Sequence, residues 1–170
     1  MGIIVFAFGM GGALANFAGL LHMTMHSLTK SAIFFAVGHI AQVKGTQKIA
    51  DIGGLTVTNP VLGWGLVLGV VAIAGLPPLG IFMSEFLVVS STFVREPWLV
   101  IILVFGILVG LGGLFLRLNT IAFGEPRGPT APAEASYLPM FAHLAIVATA
   151  GIYLPPALVT GFENVARLLG

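Results

Sequence analysis

An all-α, polytopic membrane protein is what this sequence predicts, and three observations predict it. Of its 170 residues, 58% are hydrophobic and 8% are charged, against about 25% charged in soluble domains. The mean hydropathy is +1.08. The apolar residues fall into runs that match the roughly 20 residues a helix needs to cross a hydrocarbon core, and turn-forming glycines and prolines separate those runs.

Composition also excludes. Seven basic and six acidic residues leave a net charge of +1, too even to point to nucleic acid or an acidic partner. The chain has no cysteine, hence no disulfide and no thiolate ligands for zinc or iron–sulfur clusters. Any redox cofactor must sit in another chain, and none is expected here. The opening MGIIVFAFGMGG lacks the basic flank and cleavage pattern of a signal peptide and reads as helix.

The elements follow in order. Residues 3–43 are almost unbrokenly apolar, too long for one span and punctuated by Gly9, Gly11 and Gly12; this predicts a short helix, a glycine turn, and a long helix over about residues 14–42. The connector KGTQKIADIGGLTVTN carries Lys44, Lys48 and Asp51 and is expected to reach water. Pro60 suits a helix start. Residues 60–94 are split by GLPPLG at 75–80, which predicts two helices or one broken helix. Two prolines remove backbone donors there, so the freed carbonyls need protein or water as partners at membrane depth.

Pro97 starts the next helix, which runs to about Phe123 and carries the small-residue stretch GILVGLGGLF, suited to close helix contact. The segment GEPRGPTAPAEASY, residues 124–137, reads as a solvated loop. A final span over about residues 138–159 is interrupted by Pro155 and Pro156, and the amphipathic tail GFENVARLLG closes the chain. The resulting division is 1–123, 124–137 and 138–170. If the helices alternate as drawn, Lys44, Lys48, Arg95 and Arg167 share one side and Arg117 and Arg127 the other, which by the positive-inside rule makes the first side cytoplasmic.

Chemical information resides in the polar residues that a membrane should exclude. On the long helix, His22, His26 and Lys30 recur every four residues, within an arc of about 80°. Thr29 shares that face, and His39 lies about 180° away, facing another neighbour. A charge at mid-bilayer costs about 3 kcal/mol or more, so it normally faces a hydrated cavity or a partner. Lys30 lies about 18 Å from the nearer predicted helix end, too deep to snorkel. His22 and His26 have the spacing of a helical metal pair, but no third ligand completes a site, and no metal is expected. His39 also fits a plain hydrogen bond to a neighbouring helix.

Glu85 follows the proline break in GLPPLGIFMSEFLVVSS, flanked by Ser84. Free backbone groups, water and a helix end beside it suit a carboxylate that exchanges protons; the short helix that carries it also fits an interfacial position. Arg117 reads as interfacial and His143 as structural. Lysine, histidine and glutamate together can pass protons if waters connect them. No nucleophile triad and no glycine-rich phosphate loop competes with that reading.

The stretches MGIIVFAFG, LLHMTMHSLTKSAIFFAVGH, KIADIGGL and AGLPPLGIFMSEFL closely resemble the antiporter-like, proton-pumping membrane subunits of respiratory complex I and group 4 membrane-bound hydrogenases, with the best fit to the F component of hydrogenase-4. The resemblance implies a fold with two inverted five-helix repeats, each a half-channel on a central polar axis. This chain resembles the second repeat and final helix: about five transmembrane helices plus a truncated N-terminal one, with Met1 inside the ninth helix of a full-length member. By the same resemblance, Lys30 lies on the axis in the tenth helix, Glu85 on the broken twelfth, and His26 lines the route.

What the resemblance implies is a fragment of a proton-translocating membrane-arm subunit, multi-pass in a prokaryotic inner membrane. Its implied partners are lipid, other membrane-arm subunits and a peripheral redox arm. This chain would be a non-catalytic part of an oxidoreductase complex. Two other readings fit: one component of a multisubunit cation/proton antiporter, and a scaffold fragment without transport of its own.

Overall fold

The computed structural model describes residues 1–129 and 136–170. The middle of the expected 124–137 loop, residues 130–135, therefore lies outside the described residues. Helices and turns make up the rest, and the only approach to a strand pair among the described residues is an antiparallel bridge between Gly53 and Arg127.

Helix α1, Gly2–Met10, and the long α2, Ala13–Lys44, are joined as the glycines predict. Gly11 and Gly12 have φ of 64° and 83°, a region that costs glycine little and other residues more. After a single 3-10 turn, Ile49–Asp51, come α3, Leu55–Thr58, and α4, Pro60–Ile73. Then follow α5, Gly80–Arg95, and α6, Pro97–Leu118, which continues as a π-helical turn, Asn119–Phe123. The last helices are α7, Leu138–Ile152, and α8, Pro156–Leu168. Prolines open α4, α6 and α8, where the missing N–H would be unpaired in any case.

Helix α2 is the axle, contacting α1, α4, α5, α7 and α8. It can do so because alanines face its neighbours: Ala15, Ala18, Ala32 and Ala36 are all buried, and small side chains let helices approach closely where lipid removes the hydrophobic drive. Around its C-terminal half, Ala36, Ile40 and Val43 pack with Leu62 and Leu66 of α4 and with Met140 and Leu144 of α7. Nearer its start, Leu21 and Met25 meet Ile81 and Ala150.

Helices α4 and α5 form a single broken path along α2. Gly69 of α4 lies against Ile33, and Gly80 of α5 against Met25. This corrects the sidedness expected from sequence. Lys44 donates to the Arg127 carbonyl at 3.0 Å, and Arg127 donates to the Ala50 carbonyl at 3.2 Å, so Lys44, Lys48 and Arg127 share an end with Arg117 in the last turn of α6. At the other end Arg95 donates to the Gly11 carbonyl, and the Gly12 N–H donates to the Gly170 carbonyl at 2.8 Å, which brings Arg167 there too. The expectation went wrong because the break redirects the chain without returning it.

Pro97–Phe123, 27 residues, is long and apolar enough to cross a membrane by its own length. The last span stops earlier than expected: α7 ends at Ile152, and α8 turns 77° away. It folds back on the start of α2, where Asn16 donates to the Gly170 carbonyl at 3.2 Å and Phe17 meets Phe162 edge-on at 6.0 Å.

Candidate functional site

The break between α4 and α5 is clamped from two sides. A Cβ on Gly151 of α7 would overlap the Pro78 carbonyl and lie 2.6 Å from the Leu79 carbonyl carbon, and Gly80 lies against both Met25 and the Val147 carbonyl. The Pro77–Pro78 peptide is cis. The absence of a side chain at Gly151 thus lets α7 close on the exposed backbone of the break, which supplies the protein cover that such backbone needs at membrane depth.

Glu85 sits one turn into α5, and its carboxylate rests on Gly75, whose φ of 68° ends the α4 side of the break. A Cβ at Gly75 would collide with Glu85 Oε2. Glu85 borders two cavities of about 480 and 330 Å³. The larger is walled by Ile3 and Phe6 of α1 and by Leu103, Gly106 and Gly110 of α6; the smaller by Phe82, Phe86 and Leu108 among others. Glu85 is the one ionisable side chain that lines either, among the described residues.

Its neighbour Ser84 points the other way, to α2, as successive helical residues must. The Ser84 hydroxyl lies 2.9 Å from Nδ1 of His22, and both residues are buried. His22 stacks on His26 one turn along, with ring centroids 5.6 Å apart and planes 23° apart. Nε2 of His26 is buried without a hydrogen-bond partner among the described residues. Another turn on, the Lys30 ammonium lies over the Phe34 ring, 5.9 Å from its centroid, on an exposed face of α2.

The structure therefore brings together His22, His26 and Ser84, and through Ser84 reaches the helix that carries Glu85. Lys30 and Glu85 form no ion pair, because Lys30 faces outward from α2 while Glu85 faces the α1 and α6 side. His39 stands apart: it is buried, its ring meets Tyr137 edge-on at 5.2 Å, and its Nδ1 has no hydrogen-bond partner among the described residues.

Sequence reasoning missed three residues. Lys44, expected in a solvated connector, is 3% exposed and donates to Thr58 Oγ1 at 3.1 Å as well as to the Arg127 carbonyl. Gly75 was visible only as the start of the proline break and Ser84 only as a flank of Glu85. Their roles depend on which helix lies opposite, and no spacing within the chain carries that.

Ionisable groups set along a helix beside a clamped break define a membrane protein with polar chemistry at depth. Residues 1–110 match the family "NADH:quinone oxidoreductase/Mrp antiporter, TM", and the chain belongs to that family. It is 63% identical over 169 residues to a hydrogenase-4 component F homolog of Methylacidiphilum infernorum, covering 99% of this chain and 36% of that protein. It is 31% identical over 123 residues to the D subunit of a Na(+)/H(+) antiporter of Alkalihalophilus pseudofirmus, covering 72% of this chain and 24% of that protein. A chain of the Mrp complex from Dietzia sp. DQ12-45-1b has the same fold, with a TM-score of 0.86 at 16% identity, over 98% of this chain and 40% of that one. The chain thus spans about a third of the length of these relatives.

Proposed function

We propose that this chain is part of a proton-translocating membrane-arm subunit of a membrane-bound hydrogenase or an NADH:quinone oxidoreductase-like complex. The carrying observation is the set of ionisable groups inside apolar helices: Glu85 on the broken helix, His22 held by Ser84 and stacked on His26, and Lys30 a turn beyond. Such groups at depth are costly and normally mark an ion route. Waters in the two cavities beside Glu85 would extend the route on the α1 and α6 side.

Lys30 lies about 21 Å from the nearer end of α2, and its face is exposed. A cation at that depth needs a partner or water, so we read this face as the one turned to the rest of the path in the longer protein. His39 is read as a further group towards the α2 C-terminal end. In this reading α2, α4, α5, α6 and α7 are the membrane helices of a second antiporter-like repeat and final helix, with the short α1 beside them. The protein is multi-pass in a prokaryotic inner membrane, with lipid, other membrane-arm subunits and a peripheral redox arm as partners. Lys44, Lys48, Arg117 and Arg127 then make the α2 C-terminal end cytoplasmic.

The test is proton uptake by membrane vesicles that contain the full-length protein. Lys30→Ala and Glu85→Ala are expected to abolish uptake at normal assembly; unchanged uptake in both would overturn the reading. A second reading, one component of a multisubunit cation/proton antiporter, is favoured by the relative named for Na(+)/H(+) antiport. Proton movement driven by a sodium gradient without any electron donor would select it.

A further inference from the structure

The Ser84 hydroxyl lies between two partners, and both sit where bulk water does not reach. One is the Ile81 carbonyl, 2.7 Å away on its own helix; the other is Nδ1 of His22, 2.9 Å away on α2. Ser84 is 0% and His22 2% exposed. A hydroxyl has one proton to donate and lone pairs with which to accept, whereas a carbonyl oxygen only accepts. The Ser84 proton is therefore committed to Ile81. Towards His22 the oxygen can then only accept, so Nδ1 must carry a proton.

We infer that Ser84 is a positioning residue that holds neutral His22 as its Nδ1–H tautomer and leaves Nε2 as the nitrogen free to exchange a proton along α2. Ser84 passes no proton itself, because the carbonyl beyond it cannot take one. Its hydrogen bond is also a mechanical link. By the regular helical pattern, the Ile81 carbonyl accepts from the Glu85 N–H as well, so any shift of α5 at the break moves Ser84 and Glu85 together relative to His22. The inference deepens the proton-path reading and rests on it for its role in transport, but the tautomer is a property of the resting protein and can be measured without transport.

Nitrogen-15 NMR of histidine-labelled full-length protein in lipid bilayers reads the tautomer directly, with the His22 signal assigned by its loss in His22→Gln. The wild type is expected to show Nδ1–H at His22. Ser84→Ala is expected to shift the tautomer ratio about tenfold towards Nε2–H, the worth of roughly one hydrogen bond, and Ser84→Thr, which keeps the hydroxyl, to restore it. An Nε2–H tautomer in the wild type, or an unchanged ratio in Ser84→Ala, overturns the assignment. Proton uptake separates the two claims. If Lys30→Ala and Glu85→Ala leave uptake intact while Ser84→Ala still shifts the tautomer, the transport reading fails and the tautomer assignment stands.

Discussion

Helices α2 and α6 are both long enough to cross a bilayer, yet they are built on opposite plans. Helix α2 carries three histidines and an internal lysine, and neighbours pack around it. Helix α6 carries no ionisable residue between Pro97 and Arg117, and only 6% of its most apolar stretch is buried. In α6, hydrophobicity matches the solvent over most of the surface, and Leu103 is buried with Ala7, Ala18 and Val88. In α2, the cost of polar groups at depth is offset by alanine-lined contacts that bring hydroxyls and broken backbone close to them. The difference teaches where sequence change should matter: by contact on α2 and α5, and on α6 only along the strip that walls the cavity beside Glu85.

The largest expected effect breaks that comparison at its chemical centre. Replacing Glu85 with Gln or Lys30 with Ala in the full-length protein should lower proton uptake about a hundredfold or more, the scale of losing a proton-transfer group. Next is Gly151→Ala, whose Cβ would meet the backbone of the break at Pro78 and Leu79. Backbone cannot swing away, so a loss of about 3 kcal/mol is expected, read as a lowered unfolding midpoint in detergent.

A smaller effect tests the end of α2. Lys44→Met should cost about 1 kcal/mol, because Thr58 Oγ1 and the Arg127 carbonyl lose their donor in a partly buried setting; limited proteolysis of the connector would report the loosening. The smallest sharpens the contrast from the other side. Gly112→Ala and Gly113→Ala on α6 meet nothing within 4 Å and should not lower the unfolding midpoint, since alanine is the better helix former by about 1 kcal/mol. A large loss there would mean that α6 is no solvent-matching helix but a contact surface.

Much of the fold was legible because the signals are local. The glycine turn at Gly11 and Gly12, the proline starts at Pro60 and Pro97, and the break at Pro77–Pro78 act through their own backbone, and the helices up to α6 begin and end within a few residues of expectation, whereas the last span stops at Ile152. The ionisable residues of the candidate site were legible for a related reason: a charge in an apolar run is improbable wherever it lies. What could not be read was direction and contact. Residues 60–94 were open between two helices and one broken one, and that choice alone decides whether Arg95 shares an end with Lys44.

By itself, then, the sequence determined an all-helical membrane chain, the position of its break, and where ionisable residues interrupt the apolar runs, because hydropathy, proline and glycine act over a few residues. Tertiary structure alone decided that Ser84 meets His22, that Gly75 makes room for Glu85, that Lys30 and Glu85 face apart, and that Lys44 is buried. Those outcomes depend on how α4, α5 and α7 pack around α2. Packing is settled by shape and hydrogen bonding between residues far apart in the chain, which no local pattern encodes.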